Sequence, residues 1–162
     1  MKSSKLNLQE YFPYKISRLV NDMSAGLMRS YSQRFGLNVS QWRMLAASAQ
    51  LEPTSATELT EYSGMDKVTV SRSVRELVDR KLLVREADAT DGRRATIALT
   101  AQGRAVYEEI APAAVAFEEA LLGVLKPSER ALISSMIDRL LDQAAVLRQT
   151  HSRRFPARER KA

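Results

Sequence analysis

From Glu10 to Phe35 the apolar positions Phe12, Ile16, Leu19, Val20, Met23, Leu27, Tyr31 and Phe35 keep helical spacing, which predicts one long amphipathic helix. Pro13 is tolerable in its first turn and Gly36 is a stop. Ser40 can cap a shorter helix from Gln41 to about Gln50, with Trp42, Leu45 and Ala49 on its buried side. Beyond Thr100, which can cap a helix from Ala101 to about Val124, Pro112 predicts a kink or break. The last helix is the clearest. Pro127 stands in its first turn, and Leu132, Ile133, Met136, Ile137, Leu140, Leu141, Ala144 and Leu147 form a stripe wide enough to pack on two neighbours.

Between these helices the pattern changes. Ser55-Ala56-Thr57-Glu58 fits a capping box, so a short helix starts there, runs to about Tyr62 and is stopped by Ser63-Gly64. Asp66 can then cap a second helix covering roughly Lys67 to Lys81. Two helices joined by so short a turn cross steeply. In the second, Val70, Val74, Leu77 and Val78 recur as a buried stripe, which leaves Lys67, Ser71, Arg72 and Arg75 toward solvent. Residues 83–87 and 94–99 read as two short strands, with Asp88-Ala89-Thr90-Asp91-Gly92-Arg93 as the turn between them. Asp91-Gly92 supplies the positive φ of a hairpin tip and sets Arg93 and Arg94 beside it.

A helix presenting Lys67, Ser71, Arg72 and Arg75 fits a DNA major groove, where arginine can pair with guanine and serine can reach base edges or phosphates. A basic helix face is often only solvated surface. The cationic hairpin tip adds weight to the DNA reading, because the negative potential of a minor groove attracts inserted arginine.

These residues resemble the MarR family of winged helix-turn-helix regulators. The resemblance runs through Thr57-Glu58-Leu59, the segment Asp66 to Arg72, Leu83-Val84-Arg85, Asp91-Gly92-Arg93, and Leu99-Thr100 with Gly103. It implies a mainly α fold with a small antiparallel β wing, and a winged helix-turn-helix domain joined to long terminal helices that form a dimerisation region. The expected division is a dimerisation helix over 1–36, the DNA-binding domain over 37–105, further dimerisation helices over 106–150 and a basic tail over 151–162. Similar proteins are homodimeric bacterial regulators that bind pseudo-palindromic promoter DNA and are usually released from it by a small molecule. By that resemblance Thr69, Ser71, Arg72 and Arg75 contact the groove and Arg93 is the wing arginine. One position departs from the pattern: where relatives carry Gly in a Lys-Gly-Leu-Val sequence, this chain has Lys81-Leu82-Leu83-Val84. A leucine in the left-handed conformation costs roughly 1 to 2 kcal/mol, so the helix is expected to end with different geometry.

Charge placement refines the picture. The net charge is +6, and residues 148–162 alone hold six cations against one anion. The pI is therefore a poor guide to where DNA sits. The tail reads as disordered, with a phosphate-binding arm as the alternative. There is no cysteine, which excludes a disulfide framework and thiol-based peroxide sensing. With neither a membrane span nor a secretory signal, the chain is expected to be cytoplasmic and to have no membrane partner.

Catalysis has little support. The lone histidine, His151, begins the basic tail, and the pairs Glu108-Glu109 and Glu118-Glu119 point in different directions on a helix. No phosphate loop, zinc-ligand spacing or nucleophile elbow occurs, so no cofactor or metal is expected. The alternative to a DNA-binding regulator is a winged domain that binds only a protein partner.

Terminal helices this apolar would expose large patches on a monomer, and such patches usually mark an interface. Phe12, Ile16, Leu132, Met136, Leu140 and Leu147 are the expected dimer contacts. A two-fold axis would set two recognition helices about 34 to 36 Å apart, one helical turn of DNA. In similar proteins an effector pocket borders these elements, which implies Tyr11, Tyr14, Arg18, Trp42, Arg43 and Met44 as its lining and an aromatic acid or its coenzyme A thioester as its ligand.

Overall fold

The computed structural model describes residues 6–87 and 95–154. Six helices and one hairpin follow in the order α1 (Phe12–Phe35), α2 (Val39–Leu51), α3 (Ala56–Ser63), α4 (Lys67–Asp79), β1 (Leu83–Ala87), β2 (Ala95–Leu99), α5 (Ala101–Leu122) and α6 (Pro127–Arg154). The chain divides into two compact units, 1–117 and 118–162. This is the mainly α architecture with a β wing that the sequence predicts.

Local signals set most of the helix ends. Gly36 and Gly64 adopt the left-handed conformation that closes α1 and α3, with φ of 59° and 64°. Ser55 and Glu58 form the expected reciprocal capping box, and Thr100 accepts the amide of Gly103 at 2.9 Å to start α5. The start of α2 corrects the sequence reading. Asn38, not Ser40, is the cap: its side chain accepts the Gln41 amide at 2.9 Å while the Gln41 side chain accepts the Asn38 amide at 2.8 Å. Only Asn38 has a Gln three residues ahead of it to return the bond.

Of the two outcomes expected at Pro112 the break is excluded, and the end of α4 has the different geometry expected of it. α5 passes through Pro112 without breaking. The proline and Glu108, whose carbonyl loses its partner, are both exposed, so water can take the orphaned acceptor. The left-handed residue after α4 is Lys81, with φ of 59°, and not Leu82. Lys81 is exposed and Leu82 buried, so the chain turns on the solvated residue and sends Leu82 and Leu83 into the core.

The core of the first unit lies where α2, α3 and α4 meet the hairpin. Met44, Leu45, Leu59, Val70, Leu77, Leu83 and Ile97 are almost wholly buried there. The strands pair antiparallel with Leu83 opposite Leu99 and Ala87 opposite Ala95. Thr54 adds a short third rung, exchanging two backbone hydrogen bonds with Ile97 at 3.0 and 2.6 Å. Trp42 lies between Tyr31 of α1 and Tyr107 of α5, with ring centroids 5.7 and 6.0 Å away. Burial pushes the Tyr31 phenol up in pKa, opposed by the nearby charge of Arg43. In the second unit α6 continues to Arg154, four residues into the segment expected to be a disordered tail. Lys126 donates its amide to the Glu129 carboxylate at 2.8 Å at the start of this helix.

Two substitutions test this arrangement. A Cβ at Gly103 would collide with the backbone carbonyl of Leu82, which also accepts the Thr100 amide, so Gly103→Ala should lower unfolding free energy by about 1 to 3 kcal/mol in urea titration. Lys81→Gly relieves the left-handed backbone and should raise it by up to about 1 kcal/mol.

Candidate nucleic-acid interface

α4 is built to have two unlike faces. Val70, Ser73, Val74 and Leu77 are buried on one side. On a helix of 3.6 residues per turn, positions 68, 71, 72 and 75 then fall on the opposite side. Val68, Ser71, Arg72 and Arg75 are all exposed, as is Lys67. Lys67, Arg72 and Arg75 have no ion-pair partner among the described residues. This turn of surface therefore combines a hydroxyl, three cations and one large apolar side chain.

The amino-terminal end is fixed by Asp66. Its carboxylate accepts the Thr69 amide at 2.9 Å and the Thr69 hydroxyl at 2.6 Å, and these bonds hold its pKa below the usual carboxylate value. Thr69 is half-buried and its hydroxyl proton is committed to this cap. Of the residues expected in the groove, it is the one turned toward its own helix.

The other end is held from behind. Gln41 of α2 donates to the Glu76 carboxylate at 2.8 Å. The Arg80 guanidinium donates to the carbonyls of Phe35 and Gly36, the latter at 3.1 Å, and so ties the end of α4 to the end of α1. A cation there also meets the negative end of the α1 dipole. A groove of about 630 Å³ opens along α3, α4 and β1, lined in part by Thr57, Glu61, Lys67, Ser71, Arg75 and Arg85.

Sequence reasoning missed Val68 and Arg85. The signal for Val68 was present in the spacing, because it stands three, four and seven residues before Ser71, Arg72 and Arg75. Arg85 is exposed on β1 beside the same groove. Asp88, Asp91, Arg93 and Arg94, and the tail from 155 onward, lie outside the described residues.

The residues expected around an effector are not all brought together. Trp42 and Arg43 border a shallow hollow of about 280 Å³ with Gln50, Tyr62 and Ser63. Arg43 also reaches the Ser24 hydroxyl of α1 at 3.3 Å. Tyr11, Tyr14 and Arg18 are exposed near the start of α1 and do not line that hollow. Met44 does not line it either, being wholly buried in the core. Among the described residues no cluster of His, Asp or Glu could hold a metal ion, and no helix is long and apolar enough to cross a membrane.

The Asp66 cap gives a pH test. Because the folded-state pKa is depressed, its contribution to stability is present above the unfolded value and is lost as pH falls below about 4. Asp66→Asn keeps a capping oxygen but cannot titrate. It should therefore lower the unfolding temperature at neutral pH, where the charged cap contributes, and flatten the acid limb of the profile, because the variant has no such contribution left to lose.

Comparison with known proteins places this geometry. Residues 35–94 match the model of the MarR family. In sequence the chain is similar to YwoH, an uncharacterized HTH-type transcriptional regulator of Bacillus subtilis, at 28% identity over 109 residues, 67% of this chain and 79% of that protein. In fold it is similar to a MarR/EmrR family transcriptional regulator from Acinetobacter sp. ADP1, with a TM-score of 0.80 and 24% identity over 86% of this chain and 99% of the other. It is also similar to Bordetella bronchiseptica BpsR, whose DNA binding is regulated by 6-hydroxynicotinic acid, with a TM-score of 0.76 and 25% identity over 86% and 99% of the two chains. Over residues 35–94, the winged domain that carries α4, the chain is similar to the MarR family of transcriptional regulators.

Proposed function

We propose that the protein is a homodimeric, sequence-specific repressor that holds a pseudo-palindromic operator with one α4 from each copy and leaves it when a small ligand binds. The observation that carries this reading is the outward face of α4, where Lys67, Ser71, Arg72 and Arg75 stand exposed opposite a fully buried stripe. Arg75 and Arg72 pair with base edges or phosphates, Ser71 serves either, and Lys67 neutralises the backbone. Thr69 offers only its hydroxyl lone pairs, since its proton is spent on Asp66. Arg93 and Arg94 reach the neighbouring minor groove.

A second copy covers the apolar side chains left exposed on α1, such as Phe12 and Ile16, and on α6, such as Leu132, Met136, Leu140 and Leu147. Two-fold symmetry of that contact is what matches a pseudo-palindrome. The effector is an aromatic carboxylic acid or its coenzyme A thioester, a class supported by the similarity to BpsR and by the pairing of Arg43 with aromatic Trp42 and Tyr62 around the small hollow. It acts to the extent that it binds the DNA-free arrangement better than the DNA-bound one.

Mobility shift of the duplex upstream of its own gene, repeated as salt rises, tests the core of the reading. Specific binding should weaken linearly in log salt, and no shift at low salt would favour a protein-binding module. Arg75→Ala should cost about 1 to 3 kcal/mol of specific binding and relax base preference at one position per half-site. Leu140→Glu together with Met136→Glu should give a monomer in sedimentation and abolish specific, though not nonspecific, DNA binding. In a thermal-shift screen, aromatic acids that act as effectors should raise the unfolding temperature with concentration.

A further inference from the structure

We propose that Val68 reads a thymine in each half-site through the 5-methyl group of the base. Val68 is 74% exposed on the second residue of α4. It begins the stripe completed by Ser71, Arg72 and Arg75, so it lies on the same face as the polar groups and not on the core side. Nothing in the local fold calls for it. A β-branched residue is a mediocre helix former, and an exposed position on a helix is better served by Ala, Lys or Glu.

The chemistry of the duplex supplies a partner. The one apolar group on the floor of the major groove is the thymine methyl, and the amino-terminal residues of a recognition helix are the ones that meet base edges. From Val68 to Arg75 the helix rises about 10 Å, which spans about three base pairs at 3.4 Å each. Val68 therefore engages a base distinct from those within reach of Arg75. Its branched side chain has few rotamers to lose, so the contact costs little conformational entropy. Lys67 and Arg72, exposed on either side of it, would hold the phosphates close enough for the methyl contact to form.

This inference rests on α4 being the DNA-reading helix, and the test separates the two. Duplexes bound by the full-length wild-type chain are selected from a random pool, and each thymine of the selected site is then replaced by uracil, which lacks only the methyl. Wild type should lose about fourfold in affinity for one thymine per half-site, the worth of one buried methyl group. In Val68→Ala, checked for unchanged unfolding temperature, the thymine-to-uracil ratio at that position should fall close to one. Specific binding with no methyl-sensitive thymine, or with a ratio unchanged in Val68→Ala, overturns the assignment of Val68 while leaving α4 as the reading helix. Failure of the wild type to select any sequence overturns both.

Discussion

One-sided burial of α4 is the constraint on which everything else in the first unit depends. Val70, Val74 and Leu77 are each at most a few per cent exposed, and they pack into the same core as Leu45, Leu59, Leu83 and Ile97. Burying three such side chains is worth about 1.5 to 3 kcal/mol each, far more than any surface ion pair of the chain. The facing of α4, and with it the outward orientation of Ser71, Arg72 and Arg75, is thus set by the core. An α-helix that presents chemistry on one side needs its other side fixed, and here the same thirteen residues do both.

The anchoring of α4 also joins parts of the first unit that lie far apart in sequence. Asp66 closes its first turn, Gln41 grips Glu76 in the middle, and Arg80 takes the last carbonyls of α1. α1 in turn contacts α2 through the Tyr31 and Trp42 rings and α5 through the ion pair of Arg34 with Glu109. Gly26 admits the Phe117 ring, which any Cβ at that position would meet at 2.7 Å. A displacement of α1 is thus felt at the carboxy-terminal end of α4 through short polar contacts. In the dimer proposed above, these contacts would connect the pairing surface on α1 with the reading face of α4.

The order of elements was legible in the sequence because most of their ends are written in adjacent residues. Ser55 with Glu58, Asp66 and Thr100 each place a side-chain oxygen three residues before the amide it accepts, and Gly36 and Gly64 follow the last helical residue. The faces of α4 were legible for the same reason, since periodicity alone separates Val70 and Val74 from Ser71 and Arg75. What sequence could not supply depends on partners distant along the chain. Thr54 becomes a rung of the sheet only because Ile97 arrives beside it, and Lys81 takes the left-handed turn because Leu82 and Leu83 both have core positions to fill. Met44 and Trp42 looked equally available on α2 until the core enclosed the first completely and the rings of Tyr31 and Tyr107 flanked the second. Val68 was passed over because an exposed valine carries no charge to attract notice.

The central claim is that the outward face of α4 enters the major groove, and the absence of cysteine makes a direct measurement possible. Ser71→Cys introduces the only thiol of the chain, to which an iron chelate that generates hydroxyl radicals can be attached. Bound to its selected duplex, the conjugate should cut the DNA in two clusters about one helical turn apart, one in each half-site. Cleavage spread evenly along the duplex, or none despite retained specific binding, would contradict the account.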